Sequence, residues 1–291
     1  MKPLRVALIH ADNPRQYRRM VGFWAYDVPE FEVKHFGVSG KLNLNAADLV
    51  GDFDIIVRED HRTHGRIIKD ARIPVAYYIV DSTLSDGHYK SRLGPAREAD
   101  LILVEHDRLS RFGGLGPTVR RFGYCVNDHF FHDRGLDRVV DVGMYCRVTG
   151  APERAELIRW LATFCDERGY RYAAGKRWSE KYARAFNQTR ISVNLSRTVT
   201  NRPHRVFDAM ACRTCLLTSR LPPVSGEARV AGSHYLEFKD RAELAAVIDE
   251  TLASGAWQTI ADQGCELVQK QHTWAIRAGE LRETFAEEFG L

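Results

Sequence analysis

The chain has 291 residues, 44% of them hydrophobic and 27% charged, which excludes a disordered or low-complexity polymer and fits a folded globular protein. That length exceeds one comfortable core and suits two domains of about 130 to 150 residues each. Basic residues number 42 against 38 acidic, a formal charge of +4 that permits an anionic acceptor or nucleic acid and demands neither. No stretch approaches the roughly 18 consecutive apolar residues of a membrane span. MKPLRVALIH reads as a first strand rather than a signal peptide, so cytoplasm is the expected location.

In the first half, the apolar runs 4–10, 31–38, 53–57, 74–80, 99–106 and 119–126 read as strands. They are short, continuous and β-branched, as strands covered on both faces are. Helical patterns lie between them, around 16–24 and 87–99. A second alternation starts at VVDVGMYC (139–146) and runs through a helix from Ala151, the strand YRYAAG and the helix SEKYARAFN. It continues with a strand Ile191 to Leu195, a polar loop, a helix from about His204 to Cys212, and a strand Cys215 to Thr218. Such alternation predicts α/β architecture with two doubly wound, Rossmann-like parallel sheets. The boundary falls in the polar stretch 127–138, giving domains 1–135 and 136–272. The last helices, from about Trp257, are expected to cross back, with 273–291 bracing the first domain.

In parallel sheets ligands sit beyond the carboxyl ends of the strands, so the loops there are the places to search. In the second domain the richest runs from Ile191 to Thr218. A loop with Asn201 and Arg202 leads into a helix carrying Arg205 and, within one turn, Asp208. The helix N-terminus and the arginine forks suit a diphosphate, and the carboxylate suits a ribose diol. Together they suit a nucleotide sugar. Arg147, Thr149 and Gly150 after the first strand, and Lys176 or Arg177 after the second, are further phosphate candidates, although a plain αβ connection would look the same.

In the first domain the exits offer His10 and Asp12, then Glu59, Asp60, His61 and His64, then Asp81 with Asp86 and His88 close behind. Asp81 ends an almost wholly apolar strand, where a carboxylate gains basicity, so it is the first choice of catalytic base, followed by His88 and Asp60. It could equally cap the turn that follows. Asp52-Phe53-Asp54 is a literal DxD metal motif, but it leads into a strand and reads as strand-opening residues. Arg15, Arg18 and Arg19, and likewise Arg58, Arg62 and Arg66, read as solvated helix faces. Cys212 and Cys215 form a CxxC at a helix end without a second pair for zinc. Buried packing is the better reading of both.

The segment 191–218 resembles the sugar-nucleotide motif of GT-B glycosyltransferases, especially the spore-maturation-type, group 1-like family. Its signature runs roughly I-x-LN, R-x-FE-x-x-A-C-G-x-x-LLT. Ile191, Asn194, Arg205, Phe207, Asp208, Ala211, Cys212, Leu216, Leu217 and Thr218 stand in register, with Asp208 in place of Glu and Arg213 in place of Gly. The tail, through EL at 243–244, IADQG at 260–264 and HTW at 272–274, is similar to the family's ending. The resemblance implies two Rossmann-like domains facing a cleft, and sugar transfer from a nucleotide-diphosphate sugar with neither cofactor nor metal. The second domain would hold the donor, and the first the acceptor and the base.

Retaining members carry an acid eight residues before the ribose-binding one. Here that residue is Thr200, which favours an inverting reaction with Asp81 as base. Compact members with arginine-rich acceptor faces resemble phage enzymes that glycosylate DNA bases, so DNA joins the acceptor classes, reached by base flipping. The alternatives are a non-catalytic sugar-nucleotide or nucleic-acid binding protein that keeps the fold, and an epimerase on the same plan.

Overall fold

A computed structural model of the protein describes residues 2–11, 22–38, 42–59, 65–79, 86–105, 108–176, 179–196, 204–221 and 228–291. The chain forms two compact units, Met1–Cys125 with Trp274–Leu291, and Val126–Thr273. No described helix is long and apolar enough to cross a membrane.

The first unit holds β1 (Leu4–Ala11), β2 (Phe31–Val38), β3 (Leu42–Asn45), β4 (Ile55–Glu59), β5 (Gly65–Ile68), β6 (Val75–Ile79), β7 (Leu101–Val104) and β8 (Thr118–Arg121). Six of them make one wholly parallel sheet in the order β2-β1-β4-β6-β7-β8. These are the six runs predicted. Strands β4, β6 and β7 are buried at every position, which is why their sequences are continuously apolar instead of alternating. One face packs Ala7, Ile9, Ile56 and Val75 against Ala46, Leu49, Ile67 and Ile73. Strands β3 and β5 form a separate parallel pair that the sequence reading lacks.

The helix expected over 87–99 is two short ones, α1 (Asp86–Lys90) and α2 (Leu93–Arg97). Pro95 explains the break: its ring clashes with the carbonyl four residues back, so it is tolerated only in a helix's first turn. Arg58 and Arg66 make no helix face, and Arg62 lies outside the described residues. Arg58 is buried in β4, 3.4 Å from the Glu98 carboxylate and over the Tyr77 ring, while Arg66 is an exposed β5 residue.

The second unit begins at Val126, whose N–H donates to the carbonyl of His272 at 2.6 Å, and not at residue 136. The intervening segment is tied down by Asn187, whose side chain accepts from the Arg134 amide (2.7 Å) and donates to the His132 carbonyl (2.9 Å). Its elements are β9 (Val140–Met144), α3 (Pro152–Arg168), β10 (Tyr172–Ala174), α4 (Ser179–Asn187), β11 (Thr189–Asn194), α5 (Arg205–Ala211), β12 (Cys215–Ser219), β13 (Leu236–Phe238), α6 (Arg241–Ser254) and α7 (Trp257–Gln271). The sheet is parallel, in the order β10-β9-β11-β12-β13.

Gly264 lets α7 approach closely, since a Cβ there would lie 2.6 Å from the His234 carbonyl. Helix α7 therefore stays in the second unit. Only α8 (Trp274–Phe289) belongs to the first, where Trp274 stacks on Phe31 at 6.1 Å and its indole N–H donates to the Tyr26 carbonyl at 2.9 Å.

Helix α5 ends in a Schellman motif: the amide of Thr214 donates to the Ala209 carbonyl (3.1 Å) and that of Arg213 to Met210 (2.9 Å). The motif needs a left-handed residue, and Arg213 supplies it at φ +52°, the one non-glycine residue with positive φ among those described. This is the position where the resembled family has Gly. The guanidinium reaches Asp133 and Asp262 at 3.3 and 3.4 Å.

Candidate functional site

Three adjacent strands of the second sheet, β10, β9 and β11, end at Ala174, Met144 and Asn194, and the sequence-predicted donor residues follow them. Lys176 comes two residues after β10 and is exposed. Arg147 and Thr149 lie exposed in the β9–α3 loop, where Gly150 takes φ +71°. Arg205 opens α5, and Asp208 stands three residues on along the same helix face. The carboxyl end thus gathers these five. Asn201 and Arg202 lie outside the described residues.

At the centre is an anchored arginine. The Nε of Arg205 donates to the buried Asn194 Oδ1 at 2.7 Å. The Asn194 amide nitrogen donates to Thr218 Oγ1 at 2.8 Å, and that hydroxyl donates to the Ser219 carbonyl at 2.9 Å. A relay from β11 to β12 therefore fixes the plane of the guanidinium. Its two η nitrogens have no partner among the described residues. They form a ready two-pronged donor for an oxyanion.

Next to it stands Arg154, a buried cation in the first turn of α3, where the helix dipole disfavours positive charge. It is held there by the Leu195 carbonyl, to which Nε and Nη2 donate at 3.1 and 2.9 Å. Burial pushes the Cys146 thiol up, while Arg205 and Arg154 pull it down, so all three share one neighbourhood. Sequence reasoning did not assign Asn194 or Arg154 to the site. A basic residue at a helix N-terminus was a signal for the second. Asp208 is buried, and its charge, after burial itself, helps hold the Cys212 thiol well above the usual range.

All six cysteines are free and buried. Burial pushes Cys215 up to about 12, so the CxxC pair is two packed thiols with no thiolate to offer. In the DxD triplet, Asp54 accepts from the Arg5 backbone amide at 2.8 Å and from its guanidinium at 2.6 Å. Those bonds, its Arg5 side-chain contact foremost, draw the carboxyl below its ordinary value.

In the first unit, Asp60 and Asp81 lie outside the described residues, one and two positions past the ends of β4 and β6, and His88 lies on α1. His10 is buried at the end of β1, its ring edge-on to His35 at 5.6 Å.

The glycosyl transferase-like family model matches residues 138–283. No curated protein matches the sequence significantly. Among solved structures, sucrose-phosphate synthase from Thermosynechococcus elongatus aligns over 99% of both chains with TM-score 0.60 and 12% identity. HepE of Anabaena, solved in complex with UDP-glucose, aligns over 98% of this chain and 100% of its own, with TM-score 0.62 and 11% identity. A glycosyltransferase from Rickettsia africae aligns over 99% of both, with TM-score 0.57 and 8% identity. At such identities the likeness is one of fold. The family match carries the rest: this chain belongs to the glycosyl transferase-like family, group 1-like glycosyltransferases built on the GT-B plan.

Proposed function

We propose that the protein moves a hexosyl or pentosyl group from a nucleoside-diphosphate sugar to an acceptor hydroxyl, without a metal ion. The second unit holds the donor and the first the acceptor. The observation that carries this reading is Arg205, clamped through Nε by Asn194 with both η nitrogens unpartnered among the described residues. A diphosphate presents the paired oxygens such a fork takes. Lys176, Arg147 and Thr149 after the neighbouring strands, and Asn201 and Arg202, which precede α5 in the sequence, complete the phosphate side. Asp208 offers a carboxylate to the ribose. That HepE was solved with UDP and with UDP-glucose supports uridine as the nucleoside.

In this reading the acceptor oxygen attacks the anomeric carbon as the bond to the diphosphate breaks, and the electron pair leaves with the nucleoside diphosphate. Arg205 and the neighbouring cations stabilise that charge where other enzymes use a metal. The engagement of Asp54 by Arg5 supports reading DxD as structural. Thr200, where a retaining enzyme has an acid, supports inversion, with Asp81 taking the acceptor's proton and His88 and Asp60 next in line.

Release of UDP from UDP-glucose, by transfer or slow hydrolysis, is the test. Full turnover in EDTA is expected, and activity lost in chelator and restored by manganese contradicts metal independence. Asp81→Asn should lower turnover about 10²–10⁴-fold with UDP affinity kept, whereas unchanged turnover moves the base to His88 or Asp60.

A further inference from the structure

Two arginines hold consecutive residues at the end of β11. Arg205 Nε donates to the side chain of Asn194, the last residue of the strand. Arg154 Nε and Nη2 donate to the carbonyl of Leu195, which follows it, at 3.1 and 2.9 Å. Consecutive Cα atoms lie about 3.8 Å apart, so both guanidinium groups grip one short piece of chain. The next residue is tied as well, the Ser196 N–H donating to Ser219 Oγ at 3.0 Å. The exit of β11 is thus fixed from α3, α5 and β12 together.

Holding one carbonyl does not require a positive charge, because a neutral amide donor would do the same. Arg154 nevertheless carries its charge at 5% exposure, in the first turn of α3, next to Arg205. Burial, the positive end of the helix dipole and a like charge all disfavour it. The neighbouring acid, Glu153, is exposed, and successive helix residues do not face each other. Both arginines also reach the exit of β9. The Cys146 thiol there is pushed up by burial and drawn back down by Arg205 and Arg154. A cation placed against three unfavourable conditions finds its counterpart in an anion that arrives with the ligand.

We infer that Arg154 is a positioning residue of the donor site, which holds the β11 exit through Leu195 and sets a buried positive charge answering that of a nucleoside diphosphate. This rests on the donor reading of the second unit. Arg205 grips the phosphate, and Arg154 orients the chain that carries the grip and supplies field from behind it. Its charge acts most strongly as the bond to the sugar breaks, since the electron pair then passes to the diphosphate oxygen and its negative charge rises. The unliganded protein is less stable for carrying this cation, and the liganded one more.

Arg154→Lys and Arg154→Gln separate the charge from the hydrogen bond. Both keep a donor for the Leu195 carbonyl, and only lysine keeps the charge. The readings are UDP titrations and thermal melts of the full chain, without UDP and with the same excess of it. UDP should bind the glutamine variant about five- to fiftyfold more weakly than the wild type, the effect of one nearby charge in a partly buried site. The lysine variant should stay within about threefold of the wild type. Without UDP the glutamine variant should melt above the lysine variant, and UDP should narrow or reverse that order. Equal UDP affinity in the two variants, a melting order that UDP leaves untouched, or failure of both to fold would make Arg154 a carbonyl clamp only and overturn the inference. A wild type that binds no UDP would sink the donor reading and this inference with it. UDP binding weakened by Arg205→Ala but unchanged in both Arg154 variants would leave the donor reading standing and remove this inference alone.

Discussion

At the amino end of the second unit's sheet, Arg138 donates to the carbonyls of Phe186, Thr189, Cys212 and Arg213 and to the Thr214 hydroxyl, at 2.7 to 3.2 Å. At the carboxyl end, Arg205 donates to one side-chain oxygen and keeps its η nitrogens without partners among the described residues. The same residue type is saturated in one place and open in the other. Arg138 joins α4, β11, α5 and the turn before β12, and its half-buried cation is drawn below the ordinary arginine range by desolvation. Arg205 is oriented with little of its donor capacity used. Saturation marks an arginine that holds the fold, and orientation with spare donors marks one that waits for an anion. Parallel α/β sheets bind ligands at the carboxyl end, so the contrast runs in the direction the architecture dictates.

The largest effect expected from this contrast is on stability. Arg138→Ala strands several carbonyls at once and should lower unfolding free energy by about 3 kcal/mol or more, read from urea midpoints. UDP affinity of the folded protein should not change. A variant that melts normally would show that the amino-end hub is not structural.

Asn194→Ala comes next. It removes the anchor of Arg205 and leaves Thr218 without its donor, so UDP affinity and melting temperature should fall together, the affinity by about 1 kcal/mol. Lost stability with affinity intact would mean that Arg205 needs no anchoring.

Arg213 offers the smallest and sharpest comparison. Arg213→Ala keeps the left-handed backbone and loses two part-exposed ion pairs. Arg213→Gly loses the same pairs but relieves a strain of about 1 kcal/mol. The glycine variant should therefore melt above the alanine variant, and the reverse order would contradict the Schellman geometry.

Much of the scaffold was legible because burial on both faces writes itself as unbroken apolar runs, as in Ile55–Ile56–Val57 and Leu101–Val104. Strands β3 and β5 were not, since Asn43, Asn45 and Arg66 interrupt their apolar positions. The stretch 127–138 read as a polar linker, yet Arg134 and Arg138 tie it into the second unit. Their partners are mostly backbone carbonyls from separate elements, and no residue pattern announces those.

At the site, Arg205 and Asp208 were legible from spacing along one helix. Asn194 stood in the quoted motif without a role, because its bond to Arg205 spans eleven residues and a loop. Arg213 was visible only as a departure from Gly, and its positive φ supplies the physical meaning.

Calorimetric titration of UDP into the wild type and Arg205→Ala tests the donor site most directly. Arg205 is half-buried and carries no hub of carbonyls, but its loss leaves the buried Asn194 Oδ1 without its donor, so the variant should fold with stability lower by about 1–3 kcal/mol. Its UDP affinity should be weaker by about 1.5–3 kcal/mol, roughly 10- to 150-fold, the range for a charge-assisted contact. Equal affinity in the two proteins would contradict the assignment of the carboxyl end of the second unit as the donor site.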